Sequence, residues 1–364
     1  MSIWTAYSLG RYIQSKISNL KGLAGAALAN ALVRVPQVDF HVFESAPTFS
    51  ERGAAVGLAK NAQLALDQIL PSGTDVLDKA GTVPMNSSRI ILGSGPEEGT
   101  IVFDLAADDP GMNVHRASLL CELLTPLPKE ALHPNKKLTT INPNESGVEI
   151  SFQDDTVYQF DAVIGADGIF STVREHVLQG VKAKSILGEK YLEVDRQYGW
   201  VGDGAFIMHD ILENGTMVQC VVSGIEKDPS TSRDRKRPLT QDVLRDSLSS
   251  WLGGPIADGM ISVSSGAGLA IEDAMVLGTL FANISSPSDI NAAFEAYDLL
   301  RRPRCQRVID SSRETGQILC GQVDLHANEL RGLLAPRWNF IFELDMESHK
   351  REAVDKLRDI QQKS

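Results

Sequence analysis

The sequence predicts an α/β fold in which a larger domain with a parallel sheet is interrupted by a smaller mixed-sheet domain. The chain has 364 residues, which is enough for two domains of average size. Gly22–Val33 is rich in Ala and Leu and predicts a tightly packed helix, while Val38–Glu44 contains β-branched and aromatic residues and predicts a strand. Leu138–Gly168 contains three short segments that lead into a continuous apolar run, a pattern typical of a β-meander attached to a parallel sheet.

The remaining elements are predicted from the same kinds of signal. Ahead of the first helix, Gln14–Leu20 is too polar for the buried first strand that a βαβ unit needs. Helices are expected at Asn61–Leu70, Thr240–Leu252, Gly268–Leu280, Ile290–Leu300 and Arg304–Leu319, strands near Tyr198–Asp210 and Met217–Val222, and a charged amphipathic tail at Arg337–Gln362. The predicted larger domain comprises 1–75, 113–180 and 260–320, the smaller one comprises 76–112 and 181–259, and 321–364 forms a C-terminal helical tail.

The composition excludes several classes of protein. Hydrophobic residues make up 43% of the chain, so overall disorder is excluded. The formal net charge is −12 and the dense basic run is confined to Ser232–Pro238, so a nucleic-acid partner is not expected. No apolar run reaches about 18 residues and no signal peptide is visible, so we expect a cytoplasmic protein without a membrane partner. Four separated cysteines without a CxxC pair indicate reduced thiols and no metal site.

Two glycines at the start of the first helix indicate a dinucleotide site. Gly22 and Gly25 open this helix, and Glu44 ends the next strand 19 residues after Gly25. Glycines at such a position let a pyrophosphate approach the helix N-terminus, and an acidic residue about 20 positions later accepts a ribose hydroxyl. The first position of the GxGxxG fingerprint, however, holds Leu20. A contact between closely packed helices explains the same small residues without a ligand.

Asp161–Arg174 is a second candidate segment. It places Asp167 and Gly168 directly after an apolar strand, where ligands of open α/β sheets bind. A strand–turn–helix corner with Asp167 as the helix N-cap explains the same pattern.

Two other segments place polar or small residues at predicted helix starts. His115 and Arg116 precede a helix, where Arg116 is suited to a phosphate or a ring edge, or to a surface ion pair. Gly266–Asp273 offers small residues that suit a backbone lying against a planar ring or a phosphate, or a tight contact between helices.

Together these segments resemble the FAD-dependent aromatic monooxygenases, in particular fungal salicylate-hydroxylase-like members. The resemblance implies a FAD-binding Rossmann-like domain of the glutathione-reductase type with a β-meander, and a smaller mixed β-sheet domain for the substrate. Seven segments carry it in the family's order: GLAGAALANAL, VFESAPTFSERGAAVGLAKNAQLALDQI, NVHRASLL, DAVIGADGIFSTVREHVL, QYGWVGDGAFIMHD, GAGLAIEDAMVLG and AFEAYDLLRRPRCQRVIDSSRETG.

The resemblance also implies roles for individual residues at the cofactor. The implied cofactor-binding residues are Gly22 and Gly25 at the pyrophosphate, Glu44 at the adenosine ribose, Gly57 near the cofactor, Arg116 at the flavin, Asp167 and Gly168 at the pyrophosphate and nicotinamide side, and Ala267 by the isoalloxazine ring.

The implied reaction is hydroxylation of an aromatic or polyketide-like small molecule in fungal secondary metabolism. NAD(P)H would reduce FAD, the reduced flavin would react with O2, and one oxygen atom would pass to a phenol-like ring. FAD and NAD(P)H are the implied cofactors, and the small aromatic substrate and O2 are the implied partners. No catalytic base is identified; His209 is a candidate in the smaller domain, with a structural histidine as the alternative.

Three departures from the family pattern bear on activity. Leu20 replaces the first fingerprint glycine, and Gly180–Gly188 is short where the family has a strand with an active-site Arg. Met260–Ser265 runs directly into Gly266, where the family has a strand, a Gly-Asp pair and a Pro-containing loop. We interpret these departures as omitted coding segments or a decayed copy. Two alternatives therefore stand beside an active monooxygenase: an inactive remnant that binds FAD weakly or not at all, and a NAD-dependent dehydrogenase, which needs a complete GxGxxG and a Tyr/Lys or His/Asp set.

Overall fold

The structure is a computed structural model of the 364-residue chain. It describes residues 2–3, 13–18, 22–49, 55–85, 89–92, 97, 99–104, 111–144, 147–166, 173, 198–202, 205–212, 217–224, 267–319 and 326–363.

The strands of the described residues are numbered in chain order. They are β1 Ser2–Ile3, β2 Ile13–Ser18, β3 Val38–Asp39, β4 Val42–Phe43, β5 Ala55–Leu58, β6 Val83–Met85, β7 Arg89–Leu92, β8 Ile101–Asp104, β9 Gly111–His115, β10 Leu132–His133, β11 Leu138–Asn144, β12 Gly147–Phe152, β13 Val157–Phe160, β14 Ala162–Gly165, β15 Tyr198–Gly202, β16 Ala205–Leu212 and β17 Met217–Gly224.

The helices of the same residues are numbered in the same way. They are α1 Leu23–Leu32, α2 Lys60–Ile69, α3 Gly73–Lys79, α4 Arg116–Leu124, α5 Ala267–Ala282, α6 Ile290–Leu319, α7 Ala327–Leu334, α8 Asn339–Phe342 and α9 Met346–Gln361, with single 3-10 turns at Lys129–Ala131, Pro287–Asp289 and Ala335–Trp338. None of the helices in the described part of the chain is both long and apolar enough to span a membrane.

A mainly parallel sheet forms the centre of the fold. Its strand order is β1-β14-β2-β4-β10, and β3 also pairs with β2. β14, β2, β4 and β10 run parallel to their neighbours, and β1 joins the edge in the antiparallel sense. The α/β fold class predicted from the sequence is confirmed.

The expectation that Gln14–Leu20 is too polar for the first strand is wrong. β2 covers Ile13–Ser18 and lies between β14 and β4, with Ile17 opposite both Ile164 and Val42. Strand preference depends strongly on what a strand is paired with, and a strand with neighbours on both sides satisfies its backbone groups whatever its side chains. The unit β2–α1–β4 is therefore a complete βαβ unit.

The β-meander predicted within Leu138–Gly168 is present. β11, β12 and β13 pair in order as an antiparallel sheet, and the chain then enters the parallel sheet as β14. Phe152 and Phe160 of the meander pack with Phe43 of β4 and Val163 of β14 in one buried cluster. This cluster fastens the meander to the parallel sheet.

Two further sheets complete the described strands. β9 pairs with β5 on one side and with β6 on the other, all antiparallel. A mixed five-stranded sheet has the order β17-β16-β15-β7-β8 and joins strands from two distant parts of the chain. It contains the strands predicted near Tyr198–Asp210 and Met217–Val222, whereas the helix predicted at Thr240–Leu252 lies outside the described residues. The predicted domain boundaries remain a prediction.

The helices form a continuous apolar core against the parallel sheet. α1 is buried along almost its whole length, and an ideal Cβ built on Gly278 of α5 lies only 2.5 Å from Ala31 Cβ of α1. Since a side chain at Gly278 would displace one of the two helices, the small residues allow their close approach. Asn30 Nδ2 donates to the Leu123 carbonyl at 2.6 Å and ties α1 to the C-terminal turn of α4.

The predicted break between Ile290–Leu300 and Arg304–Leu319 is wrong. α6 continues through Pro303 as one helix of 30 residues. Arg301 and Arg304, on either side of this proline, are both held by carboxylates of α5. These contacts anchor the helix on both sides of Pro303 and offset the loss of one helical hydrogen bond.

Candidate cofactor-binding site

The N-terminus of α1 lies beyond the carboxyl end of the central strand. β2 ends at Ser18 opposite Gly165 of β14, and α1 begins after Gly22. Gly22 has φ 106° and ψ −162°, a combination that is essentially restricted to glycine. No side chain caps this helix start, and Gly25 is buried in the first turn. The first N–H groups of a helix have no partner within it, so this end is suited to an anion.

Glu44 directly follows β4, at the same carboxyl-terminal end of the parallel strands as the start of α1. Its side chain is 4% exposed, and Oε1 accepts hydrogen bonds from the Ala46 N–H at 2.8 Å and the Ser45 hydroxyl at 3.1 Å. β4 is the parallel neighbour of β2, so Glu44 and the α1 N-terminus lie at the carboxyl ends of adjacent strands. This is the arrangement in which a dinucleotide site has its pyrophosphate-binding helix and its ribose-binding carboxylate.

Gly57 and Arg116 lie on a second pair of strands. Gly57 of β5 is opposite Asn113 of β9, and Ala55 is opposite His115. Arg116 directly follows β9 as the first residue of α4. The antiparallel pairing therefore places Gly57 on the strand next to the one that leads into α4, opposite a residue three positions before Arg116.

Ala267 is the first residue of α5, and this helix runs alongside α1. Gly278 of α5 meets Ala31, and Gln37 Nε2, beyond the end of α1, donates to the Phe281 carbonyl at 3.2 Å. The two contacts advance together along the sequence, from Ala31 to Gln37 and from Gly278 to Phe281, so α1 and α5 run in the same direction. Their N-terminal ends therefore lie on the same side of the core. Gly22 and Ala267 therefore open helices that start on one side of the molecule.

Buried polar residues, which the sequence analysis did not single out, hold α5 in place. Glu272 is fully buried and accepts hydrogen bonds from Asn61 Nδ2 at 2.6 Å and from Arg304 Nε at 2.6 Å and Nη2 at 2.8 Å. Arg301, 1% exposed, pairs through Nη1 with Glu272 at 2.8 Å and through Nε with Asp273 at 2.8 Å. The only signals in the sequence were the adjacent acids and two arginines one helical turn apart. We call Asn61, Glu272, Asp273, Arg301, Arg304 and His349 the buried polar network.

Burial and neighbouring charges shift several pKa values in and around the buried polar network. Burial would raise the pKa of Glu272, but hydrogen bonding from Arg304 and the positive charge of Arg301 hold it below its ordinary value. Burial, and then the charge of Arg301, lower the pKa of His349 to about 4. Burial and the nearby Asp273 charge raise the pKa of Tyr297, and burial raises that of Cys305 to about 11. At neutral pH Glu272 is therefore an ionised carboxylate and His349 a neutral imidazole.

The remaining predicted site residues are placed as follows. Asp167 and Gly168 lie outside the described residues, one and two positions after Ala166 at the carboxyl end of β14. His209 lies in β16 opposite Tyr198 of the five-stranded sheet. Among the residues that the structure describes, no group of three His, Cys, Asp or Glu side chains is arranged to hold a metal ion.

Comparison with known proteins supplies the deciding observation. No family model matches the chain. The chain is 27% identical to a 6-methylsalicylate 1-monooxygenase of Aspergillus terreus, over an alignment of 414 residues that covers 94% of this chain and 92% of that protein. It is 26% identical to a salicylate hydroxylase of Pseudomonas putida, with coverage of 92% and 94%. The chain is a homologue of the salicylate-hydroxylase-like FAD-dependent monooxygenases.

Solved structures agree with this homology at the level of the fold. A salicylate hydroxylase in a substrate complex superposes with a TM-score of 0.74 at 21% identity, covering 94% of this chain and 98% of that one. Klebsiella pneumoniae HpxO, complexed with FAD and uric acid, superposes with a TM-score of 0.67 at 19% identity, with coverage of 95% and 96%. The similarity to the curated relatives, together with this agreement in fold, confirms the resemblance inferred from the seven sequence segments.

The alignment lengths also show an internal difference between this homologue and its relatives. The 414-position alignment with the Aspergillus terreus protein is longer than the 364-residue chain. The relative therefore has internal residues for which this chain has no counterpart. This is consistent with the expectation that internal segments of the chain are shortened relative to the family.

Proposed function

We propose that this chain is an FAD-dependent monooxygenase that uses NAD(P)H and O2 to hydroxylate a small aromatic molecule. The observation that carries the proposal is homology to aromatic monooxygenases over 92–94% of the chain. The relatives include enzymes named for 6-methylsalicylate, salicylate and 3-amino-4-hydroxybenzoate. We therefore propose a hydroxylated aromatic acid as substrate, in fungal secondary metabolism. The dehydrogenase and inactive-remnant alternatives are not favoured by the homologues.

The residues at the carboxyl-terminal end of the parallel strands are suited to binding the diphosphate and ribose of FAD. The glycine-only conformation of Gly22 leaves the start of α1 without a Cβ, so a diphosphate can approach its N–H groups. Glu44 stands at the end of the neighbouring parallel strand, as a ribose-binding acid must. A complete βαβ unit joins the two, since β2 is present.

In the proposed mechanism the protein binds and orients while the cofactor supplies the redox chemistry. FAD, when bound, would accept reducing equivalents from NAD(P)H and activate O2 for oxygen transfer. The α1 N-terminus would stabilise the negative diphosphate, and Glu44 would accept a hydrogen bond from the ribose. Gly57, Arg116 and Ala267 would line the flavin side, where a guanidinium favours negative charge on the ring system. The roles of Asp167 and Gly168 are proposed on the same family resemblance.

The first experiment is the visible absorption spectrum of the purified chain after incubation with FAD and desalting. We expect a retained oxidised-flavin spectrum, followed by substrate-dependent NAD(P)H oxidation with salicylate or 6-methylsalicylate and a stoichiometric hydroxylated product. A folded chain that retains no flavin would contradict the proposal.

Two glycine variants sharpen this experiment. In Gly22→Ala the new side chain must occupy a backbone conformation that is essentially restricted to glycine, so we expect FAD affinity to fall at least tenfold. Gly332→Ala is the matched control, because a Cβ at Gly332 of α7 meets nothing within 4 Å. Equal FAD affinity in both variants would place the diphosphate elsewhere.

A further inference from the structure

Glu272 joins three helices that the sequence places far apart. Its carboxylate lies in α5 and is fully buried, with Asn61 of α2 on one oxygen and the guanidinium of Arg304 of α6 on both. Arg301 of α6 adds an ion pair to the same carboxylate at 2.8 Å. The described hydrogen bonds and ion pairs of this side chain all lead to other helices, so Glu272 ties α5 to both α2 and α6.

The same asparagine reaches the first turn of α5. An ideal Cβ on Gly268 would lie 3.8 Å from both Asn61 Nδ2 and Ala62 Cβ, so the start of α5 rests directly on the start of α2. α2 in turn follows β5, the strand that carries Gly57, after a single residue. Asn61 thus links Glu272 to the two segments, around Gly57 and Ala267, that are proposed to face the flavin.

We propose that Glu272 is a positioning residue that, through Asn61 and Arg304, holds the N-terminal turn of α5 in register with the strand β5 that carries Gly57. This inference rests on the proposed function in so far as those two segments contact FAD. Glu272 is fully buried, and its described contacts are with Asn61, Arg301 and Arg304, so its proposed effect on the cofactor passes through the backbone of α5.

The chemistry of the network favours a positioning role over a purely stabilising one. Burying an ion pair removes two charges from water, and the desolvation penalty commonly equals or exceeds the attraction gained. Well-packed apolar side chains would hold three helices together without that penalty. A carboxylate with directional donors from two other helices, in contrast, favours the arrangement of those helices in which all the hydrogen bonds are made.

Asp273 provides a matched comparison on the same helix. It is also a buried carboxylate, and it also pairs with Arg301, through Nε at 2.8 Å. Its described hydrogen bonds run to α6, to Arg301 and Tyr297, and not to α2. Loss of its charge disturbs the same core but leaves the link between Glu272 and Asn61 in place.

The test compares the full-length variants Glu272→Gln, Asp273→Asn and Asn61→Ala with the wild type. We expect Glu272→Gln and Asn61→Ala each to raise the Kd for FAD about tenfold or more, measured by flavin fluorescence quenching, and Asp273→Asn to change it less than threefold. In the double variant Asn61→Ala/Glu272→Gln the effects should be non-additive, since the two side chains are in direct contact. Equal effects of Glu272→Gln and Asp273→Asn on Kd at equal loss of stability would overturn the proposal.

Hydrogen exchange of the apoprotein separates this inference from the proposed function. In Glu272→Gln we expect amide exchange at least about tenfold faster in the first turns of α5 and α2 than in Asp273→Asn, with no flavin present. If the wild type binds no FAD but this difference is seen, the positioning role stands and the proposed function fails. If exchange in these turns is the same in both variants, the positioning role is wrong whatever the flavin result.

Discussion

His349 is a buried imidazole that must stay neutral in the folded chain. It is 7% exposed, and its Nε2 lies 3.0 Å from Arg301 Nη1. A guanidinium only donates hydrogen bonds, so Nε2 accepts and the proton of the neutral ring is on Nδ1. Burial and the charges of Arg301 and Arg304 lower its pKa to about 4, while Glu272 and Glu352 oppose this shift.

The lowered pKa of His349 predicts acid sensitivity of the fold. The imidazole of His349 takes up a proton near pH 6.5 in the unfolded chain but only near pH 4 in the folded chain. Protonation therefore favours the unfolded state: the free energy of unfolding is unaffected by this group above about pH 7 and falls as the pH drops from 6.5 to 4. The full loss corresponds to about 3 kcal/mol of the free energy of unfolding. Denaturant unfolding at pH 7.5, 6, 5 and 4 measures this fall in the free energy of unfolding.

His349→Gln keeps a hydrogen-bond acceptor for Arg301 and cannot take up the proton. We expect a smaller fall in the free energy of unfolding between pH 6.5 and pH 4 than in the wild type. His326→Gln is the matched control, since the side chain of His326 is 85% exposed. A pH dependence in His349→Gln equal to that of the wild type would show that His349 is not the responsible group.

Single-residue roles were only partly predictable from the sequence. Gly22 and Glu44 were identified because the residues of a dinucleotide fingerprint are close together in the sequence. The remaining spacing is recognisable even though Leu20 stands where the first glycine is expected. Asn61 and Glu272 were missed because 211 positions separate the two residues that share one hydrogen bond. Nothing in the neighbourhood of either residue distinguishes it from an ordinary helical polar residue.

At the scale of elements, the contact between α1 and α5 depends on the absence of a side chain at Gly278. An ideal Cβ there lies 2.5 Å from Ala31 Cβ, closer than real Cβ atoms approach. We expect Gly278→Ala to lower the free energy of unfolding by about 1–3 kcal/mol, because one helix must shift. Gly332→Ala, in open space on α7, should instead raise it by about 0.5–1 kcal/mol. Denaturant unfolding of both variants measures the two changes in the free energy of unfolding. Changes of the same sign in both variants would contradict the close contact between Gly278 and Ala31.

Pro303 is an exposed proline inside the uninterrupted helix α6. It has no N–H to donate to the Leu299 carbonyl one turn earlier. We expect Pro303→Ala to raise the free energy of unfolding by about 2 kcal/mol, with Arg302→Ala, another exposed change in the same turn, within about 0.5 kcal/mol of the wild type. Thermal and denaturant unfolding measure both variants. A loss of stability in Pro303→Ala would mean that the proline shapes the helix so that Arg301 and Arg304 reach their carboxylates.

Elements were predicted well where the pattern was periodic and poorly where partners decided the outcome. The helix at Asn61–Leu70 and the meander strands agree with the structure to within a few residues. The strand β2 was rejected on polarity, and α6 was divided at Pro303. Both errors have one cause: strands on both sides support β2, and α5 supports α6, so tertiary contacts outweigh local preference.

At the scale of the whole molecule, α6 connects the core to the five-stranded sheet. Ile290 and Leu300 of its first half belong to the main apolar core, while Ile318 and Leu319 of its second half pack with Val102 of β8. Arg331 of the following helix α7 donates to the Val102 carbonyl at 2.6 Å. One continuous helix therefore contacts the described parts of both the larger and the smaller predicted domain.

This connection predicts that cofactor binding stabilises the molecule as a unit. A ligand that binds only the folded state at about 100 times its Kd raises the free energy of unfolding by about 2.7 kcal/mol. We expect FAD to produce such a rise in the wild type, and NAD to produce none, in denaturant unfolding followed by fluorescence. Stabilisation by NAD without stabilisation by FAD would favour the dehydrogenase alternative.

The sequence by itself determined the α/β class, the meander, the resemblance to FAD-dependent aromatic monooxygenases, and the end of the strands at which Gly22 and Glu44 lie. These follow from periodicity and from motifs whose residues are neighbours along the chain. Only the tertiary structure decided that β2 completes the βαβ unit, that α6 is continuous, and that a buried polar network joins α2, α5, α6 and α9. Each of these depends on contacts between residues distant in sequence, and the free energy of such contacts is absent from any local stretch of the chain.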